Sequence, residues 1–182
     1  MTEPAELPQL RTPDQHAEGS LDVPEGVQLL EGTPAGGRRG VAVVVSRFNG
    51  EITSQLLASA LEELDRAGVA REAVTVVPVP GAFELPLATL ALAKTRRFAC
   101  VVALGCVVRG ETAHFDFVAG EAASGLQLAA IETGVPVAFG VLTTETVEQA
   151  TERIDKGAEA ARTALEMADL FAQLRASAAQ AT

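Results

Sequence analysis

The sequence predicts a single α/β domain in which helices alternate with a parallel sheet, and three observations carry that prediction. From Val41 onward a short β-branched run, a glycine or polar turn and a helical stretch recur four times, the order that builds parallel strands joined by helical crossovers. The runs are apolar on both faces rather than alternating, as strands covered by helices from either side must be. Finally, 48% of the residues are hydrophobic while the chain holds no Trp, no Tyr and only 7 Phe, so Val, Leu, Ala and Ile must fill the core. A chain of 182 residues buries enough apolar surface to fold without disulfides or metal.

Taken in order, residues 1–26 are rich in Pro, Glu, Gln and Thr, contain His16, and lack periodicity, which reads as a flexible arm. Residues 27–31 alternate weakly and suit an edge strand whose partner need not be its own sheet. Residues 32–40 form a turn-rich connection. Strands are expected at 41–46, 74–79, 100–108 and 135–142. Helices are expected at 53–67, 83–94 and 115–133, with one long final segment over 147–179. In the first helix Leu56, Leu57, Ala60, Leu61 and Leu64 have the spacing of a buried stripe.

The formal net charge of −10 repels nucleic-acid phosphates and anionic lipid, and no Lys/Arg cluster reverses that sign locally. Neither nucleic acid nor membrane is therefore an expected partner. No apolar run approaches the roughly 20 residues needed to span a bilayer, and the N-terminus lacks a basic start and an apolar signal core. A cytoplasmic location is expected. Cys100 and Cys106 show neither a CxxC pattern nor a His/Cys cluster, so they read as structural thiols rather than metal ligands.

Open α/β sheets bind ligands outside the C-terminal ends of their strands, so the chemistry belongs in the junctions after each strand. Polar or reactive residues collect at all four: Arg47-Phe48-Asn49, Pro80-Gly81-Ala82-Phe83-Glu84, Arg109-Gly110-Glu111-Thr112-Ala113-His114 and Thr143-Thr144. Phe48 is either a stacking plate for a flat heterocycle or a ring folded back over the sheet edge. Glu84, after a Pro-Gly turn, either meets a ligand or complements a helix dipole. Gly110 permits close backbone approach, and the amides of Glu111 and Thr112 precede a helix N-terminus, an arrangement able to hold a phosphate. His114 adjoins that turn, and an imidazole exchanges protons near neutral pH; a purely structural histidine is the alternative. Arg153 and Lys156 are three apart and able to share a helical face, either as surface charges or as phosphate-binding cations.

These residues resemble the lumazine synthase family over 27–170. The matching motifs are Ser46-Arg-Phe-Asn49, Pro80-Gly-Ala-Phe-Glu-Leu-Pro86, Leu104-Gly105, Val108-Arg-Gly-Glu-Thr112, His114-Phe-Asp116, Phe139-Gly-Val-Leu-Thr-Thr144, Lys156-Gly157 and Ala164-Leu-Glu-Met-Ala168. The resemblance implies a flavodoxin-like three-layer α/β/α sandwich with a four-stranded parallel sheet. It also implies that residues 27–31 add to a neighbouring subunit's sheet, and that the assembly is a homopentamer or a sixty-subunit shell. By the same resemblance, 5-amino-6-(D-ribitylamino)uracil and 3,4-dihydroxy-2-butanone 4-phosphate condense without cofactor or metal to 6,7-dimethyl-8-ribityllumazine, in association with riboflavin synthase. Phe48, backbone at Ala82, Phe83, Val107 and Val108, and Glu84 would hold the pyrimidine and its ribityl chain. Gly110, Glu111, Thr112 and Arg153 would hold phosphate, and His114 would shuttle protons. Phe139, Arg153 and Lys156 would come from the adjacent subunit.

One departure concerns the last junction. Family members carry several more residues between the arginine and the Lys-Gly element, whereas only Ile154 and Asp155 separate Arg153 from Lys156 here, which leaves the placement of Lys156 open. The 1–26 arm and a 171–182 helical tail lie outside the resemblance. A flavin or lumazine carrier without turnover, or a shell-forming structural homologue, would use the same crevice.

Overall fold

A computed structural model of the chain describes Gly19 and residues 21–180. His16 and most of the 1–26 arm lie outside the described residues. The chain divides into two units, Met1–Leu30 and Glu31–Thr182. In the first, residues 27–30 are exposed and not in a strand, so the strand expected at 27–31 does not form within one chain; unpaired, its backbone groups have no ladder to join.

The second unit is an α/β sandwich. Strands β1 (Val41–Ser46), β2 (Val74–Val79), β3 (Cys100–Val108) and β4 (Val137–Thr144) form one four-stranded parallel sheet in the order β2-β1-β3-β4. The helices are α1 (Gly50–Arg66), α2 (Leu85–Lys94), α3 (His114–Thr133), α4 (Val147–Thr151) and α5 (Lys156–Gln180). On one face Val41, Val43 and Val45 pack with Ala60 and Leu64 of α1 and Ala161, Ala164 and Leu165 of α5. On the other, Ala42 and Val44 pack with Leu85 and Ala93 of α2 and Ala122 and Leu126 of α3. Successive residues of a strand point to opposite faces, which is why an unbroken valine run fills both layers. This is the flavodoxin-like sandwich that the family resemblance implies.

The first three strands fall where the pattern puts them. The fourth lies two residues later than expected, at Val137–Thr144, because Pro136 has no N–H to give to the ladder; its carbonyl instead accepts from Val101 N at 2.9 Å. Burial on both faces holds for β1 and β3 only. As sheet edges, β2 and β4 leave Val76 39% and Phe139 48% exposed. The single long final helix is also corrected: turns over 152–155 divide α4 from α5. Arg153 therefore lies in a turn and Lys156 begins a helix, so the two do not share a helical face.

The last helix seats on the first by a backbone contact that only glycine permits. A Cβ on Gly157 would lie 2.2 Å from the Leu56 carbonyl oxygen. Ile154 packs beside Ile52, Leu56, Cys106, Leu142 and Ala150, which anchors the Arg153 turn over the β3 and β4 exits. α5 runs unbroken past Leu170 to Gln180. No helix among the described residues is long and apolar enough to cross a membrane.

Candidate active site

Strand order sets the position of the site. β1 pairs with β2 on one side and β3 on the other, the point at which the direction of winding reverses. Its register with β3 ends at Val45↔Leu104, whereas β3 continues beside β4 to Val108↔Thr144. A crevice therefore opens above the end of β1, the place where open α/β sheets bind ligands.

That crevice is a cleft of about 590 Å³ lined by Phe48 after β1, Gly81 to Glu84 after β2, and Cys106, Val107, Val108, Gly110, Thr112, His114, Phe115, Phe117 and Val118 from β3 into α3. Four of the chain's seven phenylalanines, Phe48, Phe83, Phe115 and Phe117, stand around it. Phe48 is 70%, Phe83 57% and Phe117 68% exposed, so these rings fill no core. An exposed aromatic wall is suited to a flat ligand.

Local bonds explain how the wall is held. Phe48 N donates to the Pro80 carbonyl at 3.0 Å and Arg47 N to Val79 at 2.8 Å, stitching the β1 and β2 exits together. Asn49 sits in the left-handed region at φ 57°, a conformation Asn tolerates, and its Nδ2 donates to the Cys106 carbonyl at 3.0 Å. Glu84 ends a 3-10 turn over Ala82–Glu84, and its Oε2 accepts from Gly81 N at 2.8 Å. The carboxylate thus braces its own turn at the cleft wall. Burial pushes the thiols of Cys100 and Cys106 up to about 12 and about 11, leaving them protonated and unreactive near neutral pH.

The third junction places Gly110, Thr112 and His114 on the cleft, with the turn running directly into the N-terminus of α3. His114 is the first residue of that helix and is exposed; its backbone N–H donates to Thr112 Oγ1 at 3.4 Å. Amides at this point face the positive end of a 20-residue helix, a setting that favours an anion.

Of the residues expected to act, Phe48, Ala82, Phe83, Glu84, Val107, Val108, Gly110, Thr112 and His114 share the cleft. Glu111 lies exposed in the same turn without lining it. Phe139, Arg153 and Lys156 are not on the cleft of their own chain. Phe139 projects from the β4 edge, Arg153 is exposed in its turn with Nη1 on the Gln149 carbonyl at 2.7 Å, and Lys156 pairs with Glu159. Gly81, expected in the Pro-Gly turn of the second junction, also lines the cleft, whereas sequence reasoning missed Cys106, Phe115, Phe117 and Val118 as lining residues. The α3 group follows from placing His114 at a helix start, since the next turn of that helix faces the same side.

Fold and cleft together define an α/β ligand-binding domain with its site at the topological switch point and a phosphate-compatible turn beside an imidazole. Comparison with known proteins narrows that class. A family model described as 6,7-dimethyl-8-ribityllumazine synthase matches residues 39–172. The 6,7-dimethyl-8-ribityllumazine synthase of Edwardsiella ictaluri is 53% identical over 156 residues, 82% of this chain and 100% of that protein. Its namesakes from Yersinia pestis and Yersinia pseudotuberculosis are each 50% identical over 155 residues, 82% of this chain and 99% of theirs. The chain belongs to the 6,7-dimethyl-8-ribityllumazine synthase family.

Proposed function

We propose that this chain condenses 5-amino-6-(D-ribitylamino)uracil with 3,4-dihydroxy-2-butanone 4-phosphate to give 6,7-dimethyl-8-ribityllumazine, phosphate and water, the penultimate step of riboflavin biosynthesis. The observation that carries this reading is the convergence of three strand exits on one cleft lined by Phe48, Glu84 and His114, in a chain of this family.

In this reading Phe48 stacks on the pyrimidine, and backbone groups at Ala82, Phe83, Val107 and Val108 hydrogen-bond its edge. Glu84 receives the ribityl hydroxyls. The Gly110–Glu111–Thr112 turn and Arg153 hold the phosphate, Arg153 through a planar fork that matches phosphate oxygens. An imine forms between the pyrimidine's amine and the ketone with loss of one water, phosphate leaves, and the second ring closes with loss of a second water, with His114 moving the protons. A reactive amine and a good leaving group need orientation more than a strong nucleophile, and orientation supplies roughly 7–11 kcal/mol. The reaction requires neither metal nor cofactor.

Phe139, Arg153 and Lys156 act from an adjacent subunit in this proposal, which makes the enzyme a homopentamer or a larger shell. Several features support assembly: β4 is an edge strand, Leu87, Phe117, Leu128 and Ile131 expose apolar surface, and residues 27–31 are unpaired within one chain. Exposed apolar side chains and open sheet edges suit a partner, and a second copy of this chain, with residues 27–31 added to its neighbour's sheet, would supply one. We assign catalysis to 27–170, with the 1–26 arm and 171–182 tail outside it. The lumazine product makes riboflavin synthase the natural consumer and candidate partner. A cytoplasmic setting agrees with two unpaired thiols, Cys100 and Cys106.

The test is to mix purified protein with both substrates and follow lumazine absorbance and phosphate release. Product formation is expected. Tight binding of lumazine or flavin without turnover would replace the enzyme with a carrier, and an inert assembly would leave a shell protein.

A further inference from the structure

Residues 109–114 are exposed throughout, so burial does not fix the turn that carries the amides of Gly110 to Thr112 and the imidazole of His114. Its internal bond, from His114 N to Thr112 Oγ1, is long at 3.4 Å. What holds the turn is a side chain at its entrance.

Arg109 is tied on every side. Its backbone N donates to the Thr144 carbonyl at 2.9 Å. Its Nε donates to Glu145 Oε1 at 3.0 Å and lies 2.9 Å from Oε2. The two terminal nitrogens face Asp116, Nη1 to Oδ2 at 3.3 Å and Nη2 to Oδ1 at 3.1 Å. The guanidinium plane stacks over Phe115, 4.1 Å from the ring centroid. One residue thereby joins the β3 exit, the β4 exit and the first turn of α3, and the Arg109–Asp116 pair closes the loop between them from both ends. A planar fork with several donors makes such a bridge, whereas an ammonium offers a single point.

We propose that Arg109 is a positioning residue for the phosphate step: clamped between Asp116 and Glu145 and stacked on Phe115, it fixes the Gly110–His114 turn in the geometry that receives the sugar phosphate. It is not among the residues lining the cleft, and its guanidinium is turned to the Asp116 and Glu145 carboxylates instead. The inference rests on the reading of that turn as the phosphate site. Misplacing reacting groups by about 1 Å costs about 100-fold in rate, so a loosened turn is read in kinetics before it is read in folding.

The test uses full-length wild type, Arg109→Lys, Asp116→Asn and Glu145→Gln. Arg109→Lys retains the charge and loses the fork. It is expected to lower kcat about 10- to 100-fold and to raise KM for the sugar phosphate, with KM for the pyrimidine unchanged because that substrate rests on the β1 and β2 exits. Asp116→Asn and Glu145→Gln, which each remove one arm, should move the same two constants less far. Calorimetric titration with inorganic phosphate should show weaker binding in the same order. A wild type that makes no lumazine overturns the reaction assignment, and the phosphate titration still reads the clamp. Wild-type phosphate binding together with unchanged phosphate affinity in all three variants, or a lowered melting temperature with unaltered kcat and KM, overturns the role of Arg109.

Discussion

The imidazole of His114 and the guanidinium of Arg153 are the two groups whose chemistry is least replaceable in the proposed reaction, and they fail in different ways. One general acid-base group is worth about 10²–10⁴ in rate, whereas orientation by the cleft walls survives its removal. His114→Ala is expected to slow turnover by about that factor without abolishing it. Arg153→Ala should chiefly raise KM for the sugar phosphate. Steady-state kinetics with each substrate varied separately check both, and unchanged turnover in the first variant or unchanged phosphate dependence in the second would remove the assigned roles. The cysteines make the opposite case. With their thiols pushed up to about 12 and about 11 by burial, Cys100 and Cys106 should resist a thiol reagent at mildly alkaline pH until denaturant unfolds the chain. Prompt labelling of the native protein would contradict their burial.

Between elements, the decisive contacts are made by α5. Its first turn approaches α1 so closely that a methyl group at Gly157 would meet the Leu56 carbonyl at 2.2 Å. Gly157→Ala should therefore destabilise the fold by about 1–3 kcal/mol, the usual cost of overpacking; a denaturant titration with an unshifted midpoint would show that the helices part without strain. Further along, the Asp169 carboxylate accepts from Thr33 N at 3.0 Å, from Gln173 Nε2 at 2.9 Å, from the Arg39 guanidinium and from Thr33 Oγ1 at 3.2 Å. These bonds, led by the Thr33 amide, lower its pKa from 3.8 to about 2. A carboxyl held below its unfolded value stabilises the fold fully above that unfolded value and ceases to do so as pH falls through the folded one. The advantage of wild type over Asp169→Asn should accordingly be present at neutral pH and shrink between pH 3.8 and about 2. Urea midpoints measured across that range, if parallel for the two proteins, would exclude the carboxylate as the cause.

At the scale of the whole molecule, the proposal that each site draws on two chains has an arithmetic consequence. His114→Ala and Arg153→Ala chains, each impaired alone, can be unfolded together in equal amounts and refolded. If a site takes its imidazole from one subunit and its guanidinium from the next, about one interface in four is intact, and about a quarter of wild-type activity returns. Refolded mixtures no more active than the separate variants would place both groups in one chain's own site or in none. Analytical ultracentrifugation of the same samples reads the assembly directly.

The sequence by itself determined the alternation of strand and helix, three of the four strand spans, and the junctions in which polar chemistry collects. Each of these depends on residues close together along the chain: a valine run, a Pro-Gly turn, a glycine before a helix start. Tertiary structure alone decided the rest. Strand order places β1 against β3 and so brings Phe48, Glu84 and His114 to one cleft. Edge position exposes Val76 and Phe139 although their strands read as apolar. Turns over 152–155 separate Arg153 from the helix of Lys156. Arg109 meets Glu145 across 36 residues and Arg39 meets Asp169 across 130. Periodicity reports which face of its own element a residue occupies; it carries no information on which distant element lies against that face, and both the cleft and the clamp are made of such encounters.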